Sequence, residues 1–183
     1  MDKDGWYYNM ATIISGDSGG TAVTTATQKI LQVVQSVKTD TASVSGGTFA
    51  DIGLSASITP SSSSNKILIY VQANTGGSVG YSMKTRLMRD STAIHIGDAA
   101  GNRPRATTEN TGSYSTGTAS WNNIPVNIVF LDSPSTTSAV TYKLQYASYV
   151  TYVAYINRSG SDSDTTTYDA RTSSSIILME VES

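Results

Sequence analysis

Few residues of this chain could carry out nucleophilic or acid–base chemistry. Segment 16–20, GDSGG, places Ser18 between glycines, where a serine hydroxyl could act as a nucleophile. Such a serine needs a base to remove its proton, and that base is usually a histidine oriented by a carboxylate. His95 is the only histidine of the chain, so any catalytic triad would have to include it.

The surroundings of Ser18 and His95 favour a turn over a protease site. GDSGG also surrounds the nucleophile of chymotrypsin-like proteases, but there it comes late in the chain, after most strands. Here it lies within the first twenty residues, and His95, in TAIHI, lacks the AAHC context of that family. Gly, Asp and Ser are residues that turns use. We therefore expect a turn, no catalytic residue and no enzymatic activity.

Two other groups of residues could bind a metal ion. His95 could do so only if several copies met on a symmetry axis. Asp162, Asp164 and Asp169 could offer oxygen ligands to calcium, but their spacing does not match an EF-hand loop. A solvated loop is the favoured interpretation, and we expect no metal and no cofactor.

Segment 101–121 is the strongest candidate for ligand contact. Aromatic faces pack against sugar rings, and arginine donates forked hydrogen bonds to carboxylates or phosphates. Loops at the ends of sandwiches often carry function. Trp121 directly precedes a predicted strand, so covering the core is its alternative role. The candidates for contact with a host receptor or glycan are Arg103, Arg105, Tyr114 and Trp121.

Composition excludes several classes of function. The chain has 183 residues, enough for one domain with an arm, and no cysteine, which excludes disulfides and thiolate metal sites. A net charge of −2 gives no electrostatic reason to expect nucleic acid as a partner. No apolar run reaches the roughly 18 residues of a membrane span, so we expect no membrane insertion. The N-terminus MDKDGWYYNM lacks the pattern of a signal peptide.

The chain divides into an N-terminal arm, 1–28, and a head domain, 29–183. The arm is rich in Gly, Asp and Thr and has no sustained periodicity. Trp6, Tyr7 and Tyr8 stand together in this polar segment, which indicates an attachment anchor against another surface. The alternative is that they fold back on their own domain.

The head domain is predicted to contain eight or nine β-strands and no helix. Ser and Thr together account for 53 residues, and threonine favours strands while serine favours turns. Even spacing of strands with polar turns is typical of a β-sandwich or jelly roll. A turn is expected at Pro60 and 61–64, a long loop over 97–119, and a strand start or sheet edge at Pro125. The predicted strands are 29–37, 54–59, 66–71, 81–87, 92–96, 124–130, 142–146, 150–156 and 175–181, with a hairpin joining the two before the last.

Three stretches resemble a recurrent module of virion proteins of tailed phages, especially marine phages. They are KILQVVQSVKTDT, DIGLSASITPSSSSNKILIYV and SSIILMEV, and the resemblance covers residues 29–73 and 174–182. It implies a jelly-roll-like head similar to trimeric C1q/TNF-type heads, and hence a homotrimer. It transfers no catalytic residue.

Two strands are apolar on both faces, namely 66–71 and 175–181. One face of a sandwich strand meets the core and the other meets water. Apolar residues on the second face form an exposed patch, and such patches usually mark contacts. The alternative is that long loops of the same chain cover these apolar residues. We predict that Ile177, Met179 and Val181 fill the core and that Leu68, Tyr70, Ile176 and Leu178 form an oligomer interface.

The resemblance implies a non-enzymatic protein of the virion surface, made in the cytoplasm of the bacterial host. It would be either the head of a tail fibre or adhesin that contacts the host, or a decoration (cement) protein on a capsid or tail. In both versions the arm binds other virion proteins. From a different class, a free carbohydrate-binding module that belongs to no virion remains open.

Overall fold

The computed structural model describes residues 29–77, 82–111, 123–149 and 151–183, which contain eleven β-strands and no helix. Accordingly, this part of the chain has no helix that could cross a membrane. The strands are β1 (Ile30–Lys38), β2 (Ala42–Ser45), β3 (Ala50–Ile58), β4 (Lys66–Gly77), β5 (Ser82–Arg89), β6 (Thr92–Ile94), β7 (Thr108–Thr111), β8 (Asn123–Asp132), β9 (Val140–Ala147), β10 (Val153–Ile156) and β11 (Ser174–Val181).

The strands form two antiparallel sheets. The first, sheet A, has six strands in the order β1-β11-β4-β10-β2, with β8 paired to β4. The second, sheet B, has five strands in the order β3-β9-β5-β6, with β7 also paired to β5. The apolar core lies between the two sheets.

Some strands lie end to end in pairs, and each pair acts as one longer strand. β11 pairs with residues 66–72 of β4, and β10 continues the same line opposite residues 75–77. β1 and β2 flank this line, while β6 and β7 together flank β5. When each end-to-end pair is counted as one position, each sheet has four positions, and every connection between successive positions except the one from β5 to β6 crosses from one sheet to the other. This is the double Greek key of a jelly roll, and it confirms the predicted fold class.

The alternation of apolar and polar residues places the core. In β3, Ile52, Leu54 and Ile58 are buried, while Ser55 and Ser57 between them are exposed. Such a period of two is what a strand with one face on the core requires. The other large buried side chains of the core include Ile67, Ile69, Leu87, Tyr142, Leu144, Tyr146, Ile156, Ile176 and Leu178.

Two predictions about local structure are wrong, and one strand was not predicted. The expected loop at 97–119 contains β7, which pairs with β5 although its sequence, TENT, has no apolar alternation. β9 and β10 do not form a hairpin, because they belong to opposite sheets. β2 was not predicted, because it is only four residues long; Val44 is buried in the core, and Ala42 packs against it. Pro125 does lie in an edge strand, because among the described residues β8 pairs only with β4.

The buried carboxylate of Glu180 holds the serine-rich turn against the end of the sandwich. Its Oε1 accepts hydrogen bonds from the Ser61 backbone N–H (2.6 Å) and the Asn65 amide (2.7 Å), and its Oε2 accepts one from Gln32 (2.6 Å). Burial alone would raise the pKa of Glu180, but the hydrogen bonds from Asn65, Gln32 and Ser61 outweigh it and lower the pKa to about 2. The predicted turn after Pro60 is confirmed, and a charged side chain fixes it.

Candidate interaction surface

The outer face of sheet A carries apolar side chains in rows that run across the strands. One row joins Val33, Met179, Leu68 and Leu131, which are register partners on β1, β11, β4 and β8. The next row contains Ile177, Tyr70 and Val129, with Gln35 at its β1 end. We call this surface the open face and define it as Ile30, Val33, Leu68, Tyr70, Val129, Leu131, Ile177, Met179 and Val181.

Several side chains of the open face are strongly exposed. Val33 is 59% exposed, Val129 57% and Tyr70 43%, while Leu68 and Met179 are half-buried between their neighbours. Exposed aliphatic residues are ordinary when scattered singly. Here they are adjacent across four strands, and a contiguous apolar patch marks a site of contact.

The outer face of sheet B has the opposite character. Lys84, Arg86 and Lys143 lie there, and the Lys143 ammonium pairs with Asp51 at 2.7 Å. The Arg86 guanidinium lies over the ring of Phe49, 3.8 Å from its centroid. These charged groups are satisfied next to water, so sheet B has an ordinary solvated outer face and sheet A does not.

Segment 157–173 covers the other end of the outer face of sheet A. It leaves the sheet between β10 and β11 and crosses Gly76, where a Cβ would overlap the Arg158 carbonyl oxygen. Asn157 anchors the segment by donating to the carbonyl oxygens of Lys38 (2.8 Å) and Asp40 (2.9 Å). The Arg158 guanidinium stacks on Tyr155 at 3.8 Å. This loop therefore forms one boundary of the open face.

Asp162 and Asp169 are engaged by groups of the loop itself, while Asp164 is exposed. Asp162 pairs with Arg171 and Arg158, and the hydrogen bond from Arg171 is the main cause of its lowered pKa. Burial opposes ionisation of Asp169, yet hydrogen bonds from Ser159 and Ser161 lower its pKa to about 2. Among the described residues, no group of three or more His, Asp or Glu side chains could hold a metal ion.

The structure places the four residues of the predicted oligomer interface on opposite faces of sheet A. Leu68 and Tyr70 lie on the outer face of sheet A, although no oligomer tests their role. Ile176 and Leu178 lie on the opposite face, fully buried in the core of the single chain. The assignment of the two faces of β11 was inverted, so Ile177, Met179 and Val181 point outward instead of filling the core.

The receptor-contact candidates are only partly described. Arg103 and Arg105 are exposed, and each donates to a carbonyl of its own loop, at Ala100 (3.3 Å) and Gly97 (2.6 Å) respectively. Tyr114 and Trp121 lie outside the described residues. The same is true of Ser18 and of the anchor residues Trp6, Tyr7 and Tyr8.

The ring of His95 packs against an aromatic side chain. Its ring stacks on Phe130 of β8, with the centroids 4.6 Å apart, and the residue is exposed. The backbone of His95 has a φ of 51°, which ends β6 and starts the excursion toward β7.

The sequence reading missed the apolar residues of β1 and β8 that complete the open face. Val33, Val129 and Leu131 belong to strands that were correctly predicted, but the predicted interface does not include them. The sequence of β1 did contain a sign of this surface: in ILQVV, apolar residues occupy both odd and even positions, so one of the two faces must carry apolar side chains outward.

No family model and no curated protein matches this chain. Among solved structures, the chain is similar to one in the "Structure of infectious bursal disease virus Gx strain", with 17% sequence identity and a TM-score of 0.35. The alignment covers 82% of this chain and 39% of the viral chain, so this chain spans well under half of the length of that structure. At this similarity the likeness implies nothing about function.

Proposed function

We propose that the protein is a non-enzymatic structural protein of a virus particle, displayed on the particle surface. The observation that carries the proposal is the open face of sheet A. A jelly-roll domain with a contiguous apolar outer surface is suited to contact other proteins. The segments that resemble phage virion modules form β1, β3, β4 and β11, and they favour a tailed-phage particle made in a bacterial host.

The attachment element in this proposal is the arm, residues 1–28, with Trp6, Tyr7 and Tyr8 as its anchor on another virion protein. Deleting 1–28 should leave a folded head that no longer joins the particle. Occupancy is measured by cryo-EM of particles assembled with the full-length or the truncated protein. A full-length variant in which the three aromatic residues are changed to alanine shows whether docking depends on these side chains or only on the length of the arm.

The proposal predicts that the melting temperature of the head does not change in either variant. Normal occupancy of the truncated protein on the particle would refute the role of the arm. A variant that unfolds is distinguished from one that fails to dock by its circular dichroism spectrum, which reports the β-structure directly.

The two alternative roles of the surface protein, adhesin head or decoration protein, predict different results for adsorption to the host. If the protein is a tail-fibre or adhesin head, changing Arg103 and Tyr114 together to alanine should reduce adsorption of the particle. Such surface substitutions usually change stability by less than about 0.5 kcal/mol, so the melting temperature should stay the same. Unaltered adsorption would favour a decoration protein that stabilises a capsid or tail.

A free carbohydrate-binding module is the candidate from another class. It would be absent from purified particles and would bind a glycan without any virion partner. Mass spectrometry of purified particles separates the two classes, because a structural protein must be recovered with them. The resemblance implies a homotrimer, and the mass of the protein in solution distinguishes that assembly from the dimer proposed in the next subsection.

A further inference from the structure

We propose that the open face of sheet A is closed by the open face of a second copy of this chain, in a symmetric face-to-face dimer. The observations that carry this inference are the area of the face, its lack of charge and its width across four strands. It concerns the isolated protein, so it can fail without affecting the proposed role in a particle.

The area of the open face is close to what one partner contributes to a stable interface. Five of its nine residues, Ile30, Val33, Tyr70, Val129 and Leu131, are 43–59% exposed, so the face approaches the roughly 800 Å² that each partner contributes to a standard interface. The largest apolar patch of a typical monomer is about 300–600 Å². The face is therefore large for a surface that stays in contact with water.

Charge is confined to the boundary of the face. The rows between β1 and β8 contain no charged residue, and Lys66 lies at one end, opposite Val181. At the other end, segment 157–173 carries Arg158 and Asp162, which pair with each other at 2.6 Å. An apolar centre with a polar rim is the usual organisation of a protein interface. The net charge of −2 opposes the approach of two copies only weakly.

The width of the face indicates that the occupant is another sheet. Four neighbouring strands span about 14 Å between the outer strand axes, so a single extended peptide, about 5 Å wide, would leave most rows exposed. Two sheets with the same twist can pack face to face, about 10 Å apart, with their apolar side chains interdigitated. A second copy offers such a surface in its own open face, whereas the outer face of sheet B carries Lys84, Arg86 and Lys143.

The symmetry of the dimer follows from this pairing. When the same patch is used by both partners, the interface is isologous and closes after two copies. Tyr70 lies in the middle of the second row, between Ile177 and Val129. It is the largest side chain of the face, and large aromatic residues near the centre of an interface often dominate binding.

Sedimentation velocity of the full chain at about 50 µM, a concentration chosen to populate a micromolar dimer, tests the proposal. We expect a mass near twice the 19.3 kDa of the monomer. Tyr70→Glu should raise the dissociation constant at least about a hundredfold, because it buries unpaired charges at the interface. Val129→Glu should have the same effect, so misfolding of one variant does not decide the outcome.

Ser55→Glu is the matched control, since Ser55 is exposed on the outer face of sheet B, opposite Lys143. It should leave the mass unchanged. A second measurement uses the absence of cysteine from the chain. A bis-maleimide reagent long enough to span the roughly 10 Å between packed sheets should cross-link Tyr70→Cys between copies, and it should not cross-link Ser55→Cys. A monomeric or trimeric mass for the wild type, or a dimer that survives both glutamate substitutions, would overturn the proposal.

Discussion

Replacing Glu180 with glutamine should destabilise the head domain more than its conservative nature implies. The carboxylate is 1% exposed and accepts hydrogen bonds from Ser61, Asn65 and Gln32. An amide has one acceptor oxygen, so its NH₂ group would have to face one of these donors. Gln32 cannot simply reverse its own amide, because the same nitrogen also donates to the Thr59 carbonyl at 2.7 Å.

The magnitude follows from the bonds that change. A hydrogen bond to a charged group contributes about 1.5–3 kcal/mol to stability, and a neutral one about 0.5–1.5 kcal/mol. Loss of one bond and of the charge on the others should lower the free energy of unfolding by roughly 2–4 kcal/mol at neutral pH. For a domain of this size, each kcal/mol shifts the melting temperature by about 2–4 °C, so a fall of roughly 5–12 °C is expected.

The effect should depend on pH with a definite sign. Because the folded-state pKa of Glu180 is about 2 and the ordinary value is 4.5, its ionisation stabilises the fold fully above pH 4.5. That contribution is lost progressively as the pH falls toward 2. The difference in melting temperature between the wild type and Glu180→Gln should therefore be largest at neutral pH and shrink over this window.

Thermal unfolding followed by circular dichroism between pH 7 and pH 2.5 measures both effects. Glu182→Gln is the control, since Glu182 lies two residues further along the chain and is exposed. Equal melting temperatures for wild type and Glu180→Gln at pH 7 would refute the reasoning. A difference that is large but independent of pH would show that geometry, not charge, is responsible.

Three further substitutions test other parts of the structure. Tyr142→Phe removes the buried hydrogen bond to Asp132 (2.7 Å), and it should cost about 1–3 kcal/mol in chemical denaturation; no loss would mean that the bond adds nothing. Gly76→Ala should displace segment 157–173 and speed its cleavage by trypsin at Arg158, whereas unchanged cleavage would contradict the close packing there. Leu178→Asp should unfold the chain, as judged by circular dichroism, because it places a charge in the core; a folded monomer would instead support the interface originally predicted.

The fold class could be predicted because most strands bury one face only. In β3 the alternation of Leu54, Ala56 and Ile58 with small polar residues specifies both the strand and its inner face. The order of the strands could not be predicted in this way. Periodicity describes each strand alone, while the assignment of β9 and β10 to opposite sheets depends on long-range pairing.

The same limit explains the inverted faces of β11. Ile176 and Ile177 are chemically identical, so alternation within IILMEV cannot identify the buried face. Glu180 shares the parity of Ile176 and Leu178 and favours an outward position for all three. It is buried nonetheless, since the turn at 61–65 supplies its hydrogen-bond donors. A buried carboxylate of this kind can be recognised only when its distant donors are known.

The proposed dimer gives a reason for the apolar residues of the open face. Strand β11 is central in sheet A, and β4 is the longest strand of the fold, so both need β-forming residues at every position. Threonine would meet that need on a solvated face, and sheet B does use Thr141 and Ser57 outward. Sheet A instead has Ile177, Leu68 and Val129 at its outward positions. The proposed dimer would account for this difference between two sheets of one domain, because a second copy would cover the outer face of sheet A.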